Sequence, residues 1–156
     1  MSKKIILLRH AEEPEDGDSL DLSEAGRTRA EKLASYIPKT IGKPRFLFAA
    51  APSDKSVRCY LTLRPLADRL RLNIEGTYEE REFAALSGKL LADPAFDDTL
   101  IVVAWTHKQL PALASSLGVA RDDFPEQWDE EVFDLLFELA YRKRSRPKVR
   151  RVKQPF

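Results

Sequence analysis

The chain has 156 residues, 43% of them apolar, which suits one domain (1–156) with a buried core and excludes a composition too polar to fold. A formal net charge of +1 supplies no field that would draw nucleic acid or an anionic membrane, and no apolar run is long enough to span a bilayer. Cys59 is the one cysteine, so no internal disulfide forms and a reducing cytoplasm is the expected compartment.

The chain starts with an apolar run, Ile5-Ile6-Leu7-Leu8, too short for a signal-peptide core and ending at Arg9-His10. It reads as a buried strand over 4–9, followed by an acidic loop from Glu12 to Asp21. Ser23 is a plausible N-cap with Glu24 in the first turn. Ala30, Leu33, Ala34 and Ile37 then recur at helical spacing, which predicts a helix over 24–37 closed by Pro38. Phe46 to Ala50 is the second strand, and Ser53 is expected to cap a helix over 54–70 whose early turns carry Arg58. Leu72 to Glu75 is a weak third strand and 82–92 a short helix. The fourth strand, 100–105, leads to His107, the second of two histidines. A helix over 109–117 ends at Gly118, a good residue to stop it. Phe133, Leu135, Phe137 and Leu139 alternate with polar residues, favouring a strand within 132–140. Lys148 to Lys153 is expected to pair with it as a basic edge hairpin around Ser145-Arg146-Pro147.

Strands alternating with helices predict an α/β fold around a mainly parallel sheet, and such sheets gather their ligands outside the carboxyl ends of the strands. Four strand ends then deliver titratable groups to one edge. The first brings Arg9 and His10, and the second leads to Arg58. The third leads to Glu79, Glu80 and Glu82, and the fourth to His107. Two arginines, two histidines and a carboxylate suit a phosphoryl group, whose oxygens match guanidinium forks.

Those residues resemble the histidine phosphatase, or phosphoglycerate mutase-like, superfamily. Leu7-Leu8-Arg9-His10-Ala11-Glu12 is similar to its first signature, with Ala11 where glycine is commoner. Leu22-Ser23-Glu24-Ala25-Gly26 through Ala30 is similar to its Leu-Ser-x-x-Gly-x-x-x-Ala helix start. Ser53, Arg58 and Thr62 match a further element, and Glu80-Arg81-Glu82-Phe83-Ala84 resembles the stretch that carries the acid, with Ala84 in place of glycine. The second histidine reads Trp105-Thr106-His107-Lys108 rather than Ser-His-Gly. The resemblance implies a three-layer α/β/α sandwich. It also implies a metal-independent phosphatase in which His10 becomes phosphorylated. Arg9, Arg58 and His107, with Arg81 beside them, would hold the phosphoryl oxygens, and Glu80 would exchange the proton. No cofactor is implied.

Other chemistries fit less well. Cysteine phosphatases use Cys-x5-Arg, and Pro65 stands six residues beyond Cys59. Two histidines and one cysteine are few ligands for zinc hydrolysis, and neither nucleotide-binding glycine motif occurs. The tail from Arg142 to Lys153 holds eight basic residues and no acid, whereas 122–138 holds eight acids, so mutual neutralisation is expected rather than nucleic-acid binding. The expected partner is a phosphorylated small molecule or a phosphoprotein, and the sequence sets no oligomeric state. A short segment between the third and fourth strands (76–99) leaves little material for a lid, which favours a protein-phosphohistidine phosphatase over a mutase. A catalytically inactive phosphate-binding module is the alternative of another class.

Overall fold

A computed structural model describes residues 2–15, 19–142 and 146–156. The middle of the acidic loop (Asp16, Gly17, Asp18) and Lys143, Arg144 and Ser145 of the basic hairpin lie outside the described residues. The elements run β1 (Ser2–Arg9), α1 (Glu24–Tyr36), β2 (Phe46–Ala49), α2 (Arg58–Leu70), β3 (Ile74–Glu75), α3 (Phe83–Ala92), β4 (Leu100–Trp105), α4 (Leu110–Ser116), β5 (Leu135–Arg142) and β6 (Lys148–Lys153).

One six-stranded sheet has the order β3-β2-β4-β1-β5-β6. β1 to β4 run parallel to one another, while β5 pairs antiparallel with β1 and β6 antiparallel with β5. α1 packs on α2 and α3 on α4. The result is the α/β fold expected from the alternation of elements, in the three layers that the sequence resemblance implies, with an antiparallel edge hairpin. Burial explains the continuous apolar runs. Ile5 to Leu8 and Ile101 to Trp105 are all fully buried, because β1 and β4 are central strands covered on both faces.

β1 and β4 are direct neighbours, with Arg9 opposite Trp105. Their carboxyl ends therefore emerge side by side, and this adjacency positions the site.

α1 ends at Tyr36 with Ile37 as its C-cap, just before Pro38 as expected. A π-helical turn, Ile37–Ile41, follows it, and the Gly42 N–H donates to the Ile37 carbonyl at 2.9 Å. Pro38 falls in the opening positions of that turn, where a missing N–H leaves no bond unmade. Two later boundaries differ from expectation, each for a local reason. Ser53 does not cap α2, because its hydroxyl accepts from the N–H groups of Lys55 and Ser56 (3.1 and 3.3 Å) and closes a separate turn. α2 consequently starts at Arg58, with Val57 at the N-cap position and no side-chain cap. β5 begins at Leu135 rather than Val132, which leaves Phe133 in the connecting segment.

The acidic and basic C-terminal stretches do meet within the sheet. Glu138 on β5 accepts from Arg150 on β6 at 2.6 Å and pairs with Lys4 on β1 at 2.6 Å. Among the described residues, no helix is long and apolar enough to cross a membrane.

Candidate active site

The first functional residues sit where β1 ends. The His10 N–H donates to the Trp105 carbonyl at 3.3 Å, which extends the β1–β4 ladder by one residue. Ala11, fully buried, donates its N–H to the Thr62 hydroxyl at 2.8 Å, and that hydroxyl donates to the Arg58 carbonyl at 2.7 Å. The Arg-x-x-x-Thr spacing on α2 thus has a physical meaning. Thr62 lies one helical turn after Arg58 and ties the first turn of α2 to the chain leaving β1.

The helix start that follows is built around Glu12. Its carbonyl accepts from the Ser23 N–H (2.9 Å) and hydroxyl (3.2 Å), and the Ser23 hydroxyl accepts from the Gly26 N–H at 3.1 Å as the N-cap. A Cβ on Gly26 would meet the Glu12 carbonyl oxygen at 2.2 Å, so only glycine allows this approach. The Glu12 carboxylate receives a two-pronged bond from Arg29, at 2.9 and 3.1 Å. Ser23, Gly26 and Arg29 therefore fix the loop that leaves His10.

His10 itself is 5% exposed. Its Nδ1–H donates to the Ala11 carbonyl at 2.7 Å. A carbonyl can only accept, so the proton lies on Nδ1 and Nε2 carries the free lone pair. Burial, with the nearby charges of Arg9 and Arg58, pushes the His10 pKa down to about 4. With a pKa that low, the imidazole is neutral throughout the physiological range.

Arg9 is 2% exposed, and its guanidinium lies 3.9 Å over the ring of Phe133. Its Nη1 donates to the carbonyls of Glu130 and Val132. Its Nε is buried with no protein partner, and so is the Thr106 hydroxyl, one residue before His107. Buried polar groups are rarely left unpaired, and these two, at the adjacent ends of β1 and β4, suit an anion placed there. Arg58, at the first position of α2, donates from Nε to the Asp21 carbonyl (3.2 Å) and from Nη2 to the Ser19 carbonyl. The carboxylate of Glu13 bridges the two arginines, 3.7 Å from Arg9 and 3.1 Å from Arg58.

His107 is half-buried just beyond β4. Burial and then the charges of Arg9 and Lys108 lower its pKa, which places it within the same electrostatic neighbourhood. Arg9, His10 and Arg58 thus lie in one charged neighbourhood, and His107 lies near enough to Arg9 and Glu13 to feel their charges. Glu80 is tied to the end of β4 through its backbone, since the Trp105 indole N–H donates to its carbonyl at 2.9 Å. Its side chain, like those of Arg81 and Glu82, is exposed, and the Glu82 carboxylate accepts from the Glu79 N–H at 2.9 Å. Cys59 is buried among apolar groups, and its thiol is pushed up to about 12, so it does not present a thiolate. Among the described residues, no three His, Cys, Asp or Glu side chains cluster as a metal site would require.

Two contributors went unread in the sequence. Phe133 was counted in a strand, and Glu13 was one acid among several in a loop. Its spacing of four from Arg9 carries no signal, because the chain there is not helical.

No protein-family profile and no curated protein sequence matches the chain. Solved structures do. The protein histidine phosphatase SixA complexed with tungstate is 14% identical, with 96% of each chain covered and a TM-score of 0.72. A mycobacterial glucosyl-3-phosphoglycerate phosphatase is 16% identical over 99% of both chains, with a TM-score of 0.65. A phosphoglycerate mutase from Plasmodium falciparum is 11% identical, covering 96% of this chain and 89% of its own, with a TM-score of 0.65. The chain shares the fold of these structures, a phosphoglycerate mutase-like fold.

Proposed function

We propose that the protein is a metal-independent phosphatase that passes its phosphoryl group through His10. The observation that carries this reading is the buried imidazole whose Nδ1–H is held by a carbonyl beside two guanidinium groups. The Nε2 lone pair attacks phosphorus in line as the bond to the leaving oxygen breaks. That oxygen departs with the electron pair and takes a proton from an acid. Water then attacks the phosphohistidine, the P–N bond breaks, and its electrons return to Nε2 as the acid recovers a proton. Arg9, Arg58 and His107 meet the charge on the equatorial oxygens, and their fixed geometry means that little reorganisation is needed in the transition state. Glu80, anchored beside the end of β4, is the proton donor in this scheme. Arg81 lies next to it as an additional phosphate contact.

A protein substrate carrying phosphohistidine is the second reading. Exposed acids (Glu79, Glu80, Glu82, Glu130) lie near the strand ends, and the β3–β4 connection holds only α3 and one short 3-10 turn. Such a rim disfavours multiply charged small phosphates and tolerates a basic protein surface.

Hydrolysis of p-nitrophenyl phosphate by wild type and His10→Ala, with and without EDTA, tests the first reading. Activity that survives EDTA and disappears in the variant is expected. EDTA-sensitive activity would overturn the scheme, and no activity in either protein would indicate a phosphate-binding module instead. Faster turnover of a sugar bisphosphate than of a phosphohistidine protein would remove the second reading.

A further inference from the structure

Resting on the reading of Arg9 and Arg58 as phosphoryl ligands, we propose that Glu13 is an internal competitor for the phosphoryl position. Its carboxylate spans the two guanidinium groups, and any phosphorylated ligand must displace it before His10 can react.

The bonding inventory of the two arginines is the first argument. Arg9 is held by the carbonyls of Glu130 and Val132 and by the Phe133 ring. Arg58 is held by the carbonyls of Ser19 and Asp21. Both guanidinium groups are thus oriented by backbone acceptors and an aromatic face, without help from Glu13. Of the nitrogens left over, Glu13 engages Nη2 of Arg9 and Nη1 of Arg58, while Nε of Arg9 has no protein partner. Each meets a different oxygen of one carboxylate, as two oxygens of a phosphoryl group would.

Exposure is the second argument. The Arg9 and Arg58 side chains are 1% and 11% exposed, but that of Glu13 is 39% exposed. Glu13 can therefore turn out into water while the arginines stay fixed. It lies three residues beyond His10, on the segment just before the cap of α1, so it reaches the guanidinium pair from the nucleophile's own strand end.

A competitor that must leave first lowers the apparent affinity of every ligand by one factor, the fraction of time that the position is open. Two partly exposed ion pairs correspond to a factor of about 3–30. Displacement is distinct from simple charge repulsion, which would scale with the charge of the ligand.

The test uses Glu13→Gln and Glu13→Ala, with thermal melting to confirm that each folds. Dissociation constants for inorganic phosphate and vanadate are measured by calorimetry, along with kcat and KM for p-nitrophenyl phosphate. Both constants and KM are expected to fall by one common factor of about 3–30, with kcat within about twofold of wild type. Weaker binding in both variants would mean that Glu13 positions the arginines, and would overturn the proposal. So would unequal factors for ligands of different charge, or a kcat loss of tenfold or more, which would make Glu13 a proton donor. If wild type and variants all fail to bind phosphate while His10→Ala still hydrolyses the ester, the phosphoryl reading itself falls.

Discussion

The imidazole of His10 is nearly inaccessible and lies beside two cations, and the proposed role also needs it unprotonated. Burial removes the hydration that would stabilise an imidazolium, and Arg9 and Arg58 add repulsion, so the proton affinity falls to a pKa of about 4. The chain has two histidines, so an NMR titration resolves this directly. One imidazole should titrate with a midpoint near 4 and vanish from the spectrum of His10→Ala. A midpoint near ~6.5 would show that the ring is solvated after all. Arg58 permits a second test at this scale. Removing one preorganised donor commonly costs about 10²–10³ in turnover, and Arg58→Ala should lose that much in kcat for p-nitrophenyl phosphate. Unchanged turnover would take Arg58 out of the site. Arg9, His10, Arg58 and His107 were legible because each falls at a strand end or an element boundary that periodicity can locate. Glu13 and Phe133 were not. Their roles depend on side chains crossing a loop to meet Arg9, and neither polarity nor spacing specifies where a loop folds back.

At the level of elements, the informative residues bind one element to the next. Ser23 and Gly26 start α1 against the Glu12 carbonyl, and Thr62 anchors α2 to Ala11. Gly26→Ala places a methyl group 2.2 Å from a backbone oxygen that cannot rotate away. Overpacking of this kind costs about 1–3 kcal/mol, so the urea midpoint should drop accordingly. Hydrolysis should fall with it, because the displaced Glu12 backbone belongs to the segment that leaves His10. An unchanged midpoint would mean that the loop relaxes freely. Element boundaries also show where sequence reasoning fails. A serine before a helical stretch signals a cap, but Ser53 spends its hydroxyl on the turn at Lys55 and Ser56, and the helix begins five residues later. Both outcomes satisfy the same backbone donors, so the motif alone does not separate them. The runs that became β1 and β4 were legible because continuous apolar character has one outcome, a strand buried on both faces.

At the scale of the whole molecule, the price of a neutral buried histidine is tolerance to acid. The unfolded chain binds a proton on His10 near pH ~6.5 and the folded one only near pH 4, so between those values the unfolded state holds more protons. Stability is therefore complete above pH ~6.5 and declines as the pH falls toward 4, by about 3 kcal/mol in all. Glu138 adds a second acid-sensitive link at lower pH. Burial disfavours its charge, but Lys4 and Arg150 outweigh that and hold the carboxyl below its ordinary value. Its contribution is present above the unfolded carboxylate pKa and is lost as the pH falls through the folded one. Because Glu138 joins β1, β5 and β6, that loss loosens the antiparallel edge of the sheet. The two effects occupy different windows and can be separated by difference. Urea unfolding of wild type and His10→Asn should diverge in pH dependence between 6.5 and 4, the variant losing about 3 kcal/mol less than wild type over that interval. Below it the two should run parallel, because Glu138 titrates in both. Equal losses for the two proteins between pH 6.5 and 4 would mean that the folded state protonates His10 without penalty, and the imidazole would then not be the buried neutral nucleophile that the site requires.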